Sequence, residues 1–135
     1  MSGYQKYKEQ TIFSMSNIEL LLLLYDEAIS RLSKAELAVD DDDWNTFEDC
    51  LKRVAKIVRY LSDILDMSQQ PLANDLWRIY NYLIYDISRV KAGWKRQKAE
   101  IGRIRHILSE LRDAFNGASQ KTNDSHITAR KGVLG

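Results

Sequence analysis

Few residues in this chain could do chemistry, and their spacing decides against it. Its two histidines, His106 and His126, lie far apart in sequence. His106 stands beside Arg105 on the polar side of a helical stretch and reads as a solvated surface residue. His126 falls in a polar C-terminal stretch. The single cysteine, Cys50, sits between Phe47 and Val54 with no histidine nearby, and reads as packing. No Glu-x-x-His occurs to build a di-iron bundle, and no glycine-rich phosphate loop occurs. The run Asp40 to Asp43 could attract a divalent cation, but it lacks the spacing and closing glutamate of an EF-hand. It reads as a solvated acidic loop. We therefore expect no catalysis, no resident metal and no cofactor.

A basic stretch carries Arg89, Lys91, Lys95, Arg96, Lys98, Arg103, Arg105 and Arg112 against Glu100 and Glu110. Such a local excess could contact phosphate or an acidic surface. The formal net charge of the whole chain is only +1, so a solvated helix face is preferred over nucleic-acid binding. The longest apolar run, Leu20 to Leu24, is too short to span a bilayer, and 1–10 is polar and aromatic, unlike a signal peptide. One unpaired cysteine fits a reducing, cytoplasmic setting.

The elements that must carry these residues are helices. The 135 residues include one proline and six glycines, which leaves few breaks. The first helix is expected over 16–39, with Ser16 and Glu19 as a capping box and a stripe of Leu21, Leu24, Tyr25, Ala28, Leu32 and Ala35. The second is expected over 44–67, capped by Asp43. Phe47, Leu51, Val54, Val58, Leu61 and Leu65 alternate steps of four and three along it, the seam of a bundle. Pro71 should open the third, over 71–92, with Leu72, Leu76, Ile79, Leu83, Ile87 and Val90 inward. The fourth is expected over 97–116, with Ile101, Ile104, Leu108, Leu111 and Phe115 inward and Gly117 as its stop. The fold class is all-α: an antiparallel up-and-down four-helix bundle. Residues 1–15 form an N-terminal cap segment, 16–117 the bundle, and 118–135 a mobile tail.

The first helix is overfull. Successive residues turn by about 100°, so Leu20 to Leu24 surround it, whereas a bundle helix buries one stripe. Leu23 points to the side of Asp26, Ser30 and Lys34, and Leu22 lies near its border with Ile18 and Ile29. Tyr80, Tyr82 and Tyr85 cannot all face one core, and Trp77 is one step off its stripe. Tyr4 and Tyr7 precede every expected helix. Either the N-terminal segment folds back, with Tyr7, Ile12 and Phe13 covering the first helix, or a partner does; both can hold.

The chain resembles the FliS-type flagellin export chaperones from about Tyr4 to Phe115. It opens with Tyr4-Gln5-Lys6-Tyr7-Lys8-Glu9-Gln10, similar to that family's tyrosine- and glutamine-rich start. Leu24-Tyr25-Asp26-Glu27-Ala28 is similar to its Leu-Tyr-Asp-Gly-Ala, and Leu51 to Val58 with Leu61 and Leu65-Asp66 to its second-helix pattern. Ala73, Leu76, Ile79-Tyr80 and Tyr82 look like its Leu-x-x-Leu-Tyr-x-Tyr signature. Leu111-Arg112-Asp113-Ala114-Phe115 looks like its Leu-Arg-x-Ala-Trp ending. The chain departs from the pattern at Asn17, Glu27, Lys91 and Phe115.

The resemblance implies a cytosolic bundle that binds the C-terminal helical segment of flagellin, keeps it from polymerising and hands it to a flagellar export gate component. The expected contacts are Tyr7, Ile18, Leu22, Leu23 and Ile29, followed by Trp77, Tyr82 and Tyr85. We expect no nucleic-acid partner, no membrane insertion, and a monomer or weak homodimer. The competing reading is a structural bundle that self-associates through Leu22 and Leu23 without a client.

Overall fold

A computed structural model describes the backbone of residues 17–133 and the side chains of residues 18–117. The expected cap segment 1–15, the Ser16 capping box, Tyr7 and the side chains of the expected mobile tail lie outside the described residues. The described chain is all-α. Helix α1 spans Asn17–Asp40, α2 Trp44–Asp63, α3 Leu72–Gly93 and α4 Lys98–Val133, with a 3-10 turn at Trp94–Gln97 between the last two.

Helix α1 packs along α2 and α4, and α2 also packs along α3. Ion pairs show how α1 meets α4. Asp26 pairs with Arg112 at 2.8 Å, Glu36 with Arg105, and Asp40 with Lys98 at 2.5 Å. The partner's number falls as the α1 number rises, so the two helices run antiparallel. Pairs this exposed contribute about 0.2–1 kcal/mol each, so they set register more than stability.

Burial supplies the stability. Tyr25, Ala28, Leu32 and Ala35 of α1 are buried, as are Ile101, Ile104 and Leu108 of α4. The stripe on α2 is wider than the expected seam: Cys50, Ala55 and Ile57 are buried beside Phe47, Leu51, Val54, Val58 and Leu61. A helix packed between two neighbours buries two stripes, and α2 lies between α1 and α3. On α3 the inward set is Ala73, Leu76, Tyr80, Leu83, Ile87 and Val90, with Asp86 among them.

Several expected boundaries shift. Helix α2 ends at Asp63 rather than 67 because Asp66 folds the following chain back on itself, accepting from the Ser68 backbone N–H at 3.1 Å. Pro71 is the residue before α3 rather than its first, and Leu72 is exposed. Gly117 does not stop α4, whose backbone continues to Val133. A glycine inside a helix costs only about 1 kcal/mol relative to alanine, so it need not end one. Gly93 does close α3, but the left-handed φ of 52° falls on Trp94 instead. That bulky residue is strained there. Its ring is held edge-on against Trp44 at 5.0 Å and Phe47 at 4.6 Å.

The acidic run is a built turn rather than a merely solvated loop. Asp42 takes φ 59°, the Asp43 N–H donates to the Ala38 carbonyl at 2.8 Å, and the Asp42 N–H donates to that of Val39. This is a Schellman closure of α1, and aspartate tolerates the left-handed position better than most residues. Asp43 then caps α2, accepting from the Thr46 N–H at 3.1 Å and the Thr46 hydroxyl at 2.6 Å. Lys95 pairs with Asp42, as Lys98 does with Asp40, so cations from the α3–α4 junction offset the like charges.

Candidate functional site

The basic stretch also resolves into internal pairing. Of its eight cations, Arg89, Lys95, Lys98, Arg103, Arg105 and Arg112 all meet carboxylates of the same chain. Two of them meet Asp86, which is 1% exposed. Arg89 holds one of its oxygens at 2.6 Å and Arg103 the other, while Arg103 also donates to Glu100 at 2.7 Å. The Arg103 guanidinium lies 5.7 Å from the Tyr82 ring centre, so Tyr82 is partly engaged with α4. Among the described residues no group of three or more His, Cys, Asp or Glu is placed to hold a metal. No helix among them is long and apolar enough to cross a membrane. Cys50 is buried, and His106 is an exposed partner of Glu110 at 3.0 Å.

What remains for function is surface shape. Two adjoining hollows, of about 330 and 340 Å³, share Leu20 and Tyr60. Together they form a mainly apolar cleft between α1 and α2, with Arg53, Lys56 and Asp66 as the charged residues of its lining. Leu20 and Leu24, four apart on α1, make one wall. Ile57 and Tyr60 of α2 and Ile64 just past its end, at steps of three and four, make the other. One turn beyond Leu24, Glu27 crosses to Arg53 at 2.9 Å and fixes the spacing of the walls. At the far end the cleft deepens to Leu65, Leu76, Tyr80 and Phe115. Tyr60 and Ile64 are each 44% exposed, large for apolar groups. Burial, with Tyr80 close by, pushes the Tyr25 hydroxyl far above its ordinary pKa, and burial also raises that of Tyr80. Both stay neutral, so the cleft floor carries no charge from them.

A third groove, of about 420 Å³, lies on the other side of α2, between it and α3. Its rim is basic.

The expected contact residues divide between faces. Leu23 is exposed on α1, one turn from the Asp26 that reaches α4, and Ile18 and Leu22 are half-buried. Ile29 packs against the core. Trp77, Tyr82 and Tyr85 are exposed on α3, on the far side of α2 from α1. None of these lines the apolar cleft, which uses Leu20, Leu21 and Leu24 of the same leucine run. The α2 wall was missed, although Tyr60 and Ile64 are four apart and off the Phe47–Leu61 stripe. Two apolar residues at that spacing outside a core stripe are the signal that could have found it.

A family model described as flagellar protein FliS matches residues 1–122. No curated protein matches the chain.

Proposed function

The chain belongs to the flagellar protein FliS family, and from that premise we propose that it is a cytoplasmic export chaperone for flagellin. In this reading the helices form an antiparallel up-and-down bundle that acts without catalysis. The C-terminal segment of flagellin lays an amphipathic helix into the α1–α2 cleft, which keeps that segment from polymerising. A competing contact with the flagellar export gate then releases it.

The observation that carries this reading is the cleft itself. It is mainly apolar and open, with two helical walls whose side chains repeat at helical spacing, the form of helix-in-groove recognition. It leaves Tyr60 and Ile64 wet in the lone chain, a cost that a covering helix removes. A client that orders as it binds offsets part of the interaction energy with lost chain entropy, so a wide interface suits the task. Residues 1–15 are a second occupant of this region in the same proposal, covering the cleft until the client displaces them.

Two substitutions test the placement. Leu24→Asp puts a charge in the cleft wall, and Leu23→Asp puts one on the neighbouring face. If the cleft is the site, Leu24→Asp abolishes binding of a flagellin C-terminal peptide and Leu23→Asp weakens it little. The reverse pattern moves the site to the face of Ile18, Leu22 and Leu23. A self-associating bundle without a client would instead show concentration-dependent mass in light scattering and no peptide binding.

A further inference from the structure

We infer that the groove between α2 and α3 is a second docking site, built for an acidic helical segment of a partner protein. Five cations line it: Lys52 pairs with Glu48 at 3.0 Å and Arg53 with Glu27 at 2.9 Å, whereas Lys56, Arg59 and Lys91 are left over. Among the described residues, neither Lys56 nor Arg59 has a carboxylate within ion-pair distance. Lys91, across the groove on α3, also makes no such pair, although with Lys52 it helps hold the Glu48 carboxylate below its ordinary range. Lys52, Lys56 and Arg59 stand at steps of four and three on one face of α2, and all three line the groove with Lys91. Asp49 is the acidic residue on its rim. The contrast with the basic stretch is direct: six cations there meet Asp26, Glu36, Asp40, Asp42 and Asp86, whereas Lys56, Arg59 and Lys91 make no ion pair among the described residues.

The floor is of a different character. Ala55, Ile87 and Ser88 lie between the two charged rims, and Ala55 and Ile87 are buried. Small residues let a backbone approach closely, and Ser88 offers a hydrogen-bonding hydroxyl. The cations from Lys52 to Arg59 span about 10 Å of helix, so a segment of two to three turns fits, with small apolar residues inward and carboxylates toward both rims. The chain's own ends do not supply such a segment. Residues 1–16 carry Lys6 and Lys8 against Glu9, and residues 118–135 carry Lys121, Arg130 and Lys131 against Asp124, so both are net basic. A separate, acidic protein segment is the occupant that charge complementarity selects. Arg53 and Lys56 line both this groove and the α1–α2 cleft, so the test varies Arg59 and Lys91, which line this groove alone.

The test is fluorescence anisotropy of the full chain with a labelled helical peptide of glutamate, alanine and leucine. The same peptide with lysine at each glutamate, and single-stranded oligodeoxythymidylate, serve as competing probes. The glutamate peptide should bind, the lysine peptide should not, and rising salt should weaken binding. The double variant Arg59→Glu/Lys91→Glu should bind the glutamate peptide roughly tenfold more weakly, the scale of two reversed exposed charges. Arg59 is exposed and Lys91 half-buried, and neither makes an ion pair among the described residues, so the melting temperature should stay close to the parent's. Equal binding of the lysine peptide, or an unchanged affinity in the double variant, overturns the proposal. So does tighter binding of the oligonucleotide that the double variant loses, since the groove would then read phosphate. Flagellin-peptide binding is measured separately, so failure of either site leaves the other result standing.

Discussion

The hydroxyls of Tyr25 and Tyr80 meet at 2.5 Å inside the core, joining α1 to α3, two helices that flank α2. Each is the other's buried partner. Tyr25 also stacks on Phe115 of α4 at 5.8 Å, so the pair gathers three helices at the deep end of the apolar cleft. Tyr25→Phe should cost about 1–3 kcal/mol, because it leaves the Tyr80 hydroxyl buried without a partner. Adding Tyr80→Phe should cost much less than a second such loss. Urea denaturation of the two single variants and the double variant checks this, and strict additivity would contradict it.

Asp86 predicts a local rather than a global weakness. Arg103 ties it to α4, a helix that α3 otherwise touches little, and Arg89, on α3 itself, holds its other oxygen and reaches Glu100 of α4 at 3.8 Å. Asp86→Ala should cost about 2 kcal/mol, the range for hydrogen bonds to charged groups. Arg89 and Arg103 both reach water, which keeps the loss below that of a fully enclosed pair. Native-state hydrogen exchange should speed up first in the facing turns of α3 and α4, around Asp86 and Arg103.

The double-sided burial of α2 makes its core positions the most sensitive. Leu51→Ala should cost about 2–5 kcal/mol, as large-to-small changes in packed cores do. Leu37 is 62% exposed, and Leu37→Ala should stay within about 0.5 kcal/mol. Paired urea titrations compare the two.

The Asp43 cap carries a pH signature. Hydrogen bonds from the Thr46 hydroxyl and then the Thr46 N–H hold its carboxyl below the ordinary value of 3.8. A depressed folded value means that the stabilisation is complete above about pH 4 and is lost as pH falls through the lowered folded value. The melting-temperature gap between the parent and Asp43→Ala should therefore be constant near neutrality and close at strongly acid pH. A gap that grew on acidification would contradict the sign.

The helices and their inward stripes were legible because period and burial agree: Tyr25, Ala28 and Leu32, or Ile101, Ile104 and Leu108, recur at helical spacing and are buried. Features that depend on a second helix were not legible. Ala55 and Ile57 are core because they flank the seam on opposite sides, Ala55 toward α3 and Ile57 toward α1. The need for a buried Asp86 follows from Arg103, which lies on another helix. The Asp40–Asp43 run looked idle because its lysines come from the α3–α4 junction, more than 50 residues later in sequence. At the site, the leucine run signalled surplus apolar surface correctly, but its direction depends on where α2 lies. Leu20 and Leu24 face it, and Leu23 does not.

Titration calorimetry of the full chain against a peptide of the C-terminal helical segment of the cognate flagellin tests the central claim most directly. Coupled folding onto an apolar cleft predicts saturable one-to-one binding, a large negative heat-capacity change and a gain of helix in circular dichroism. A well-folded sample that takes up no peptide, or binds it with no heat-capacity change, would contradict the claim.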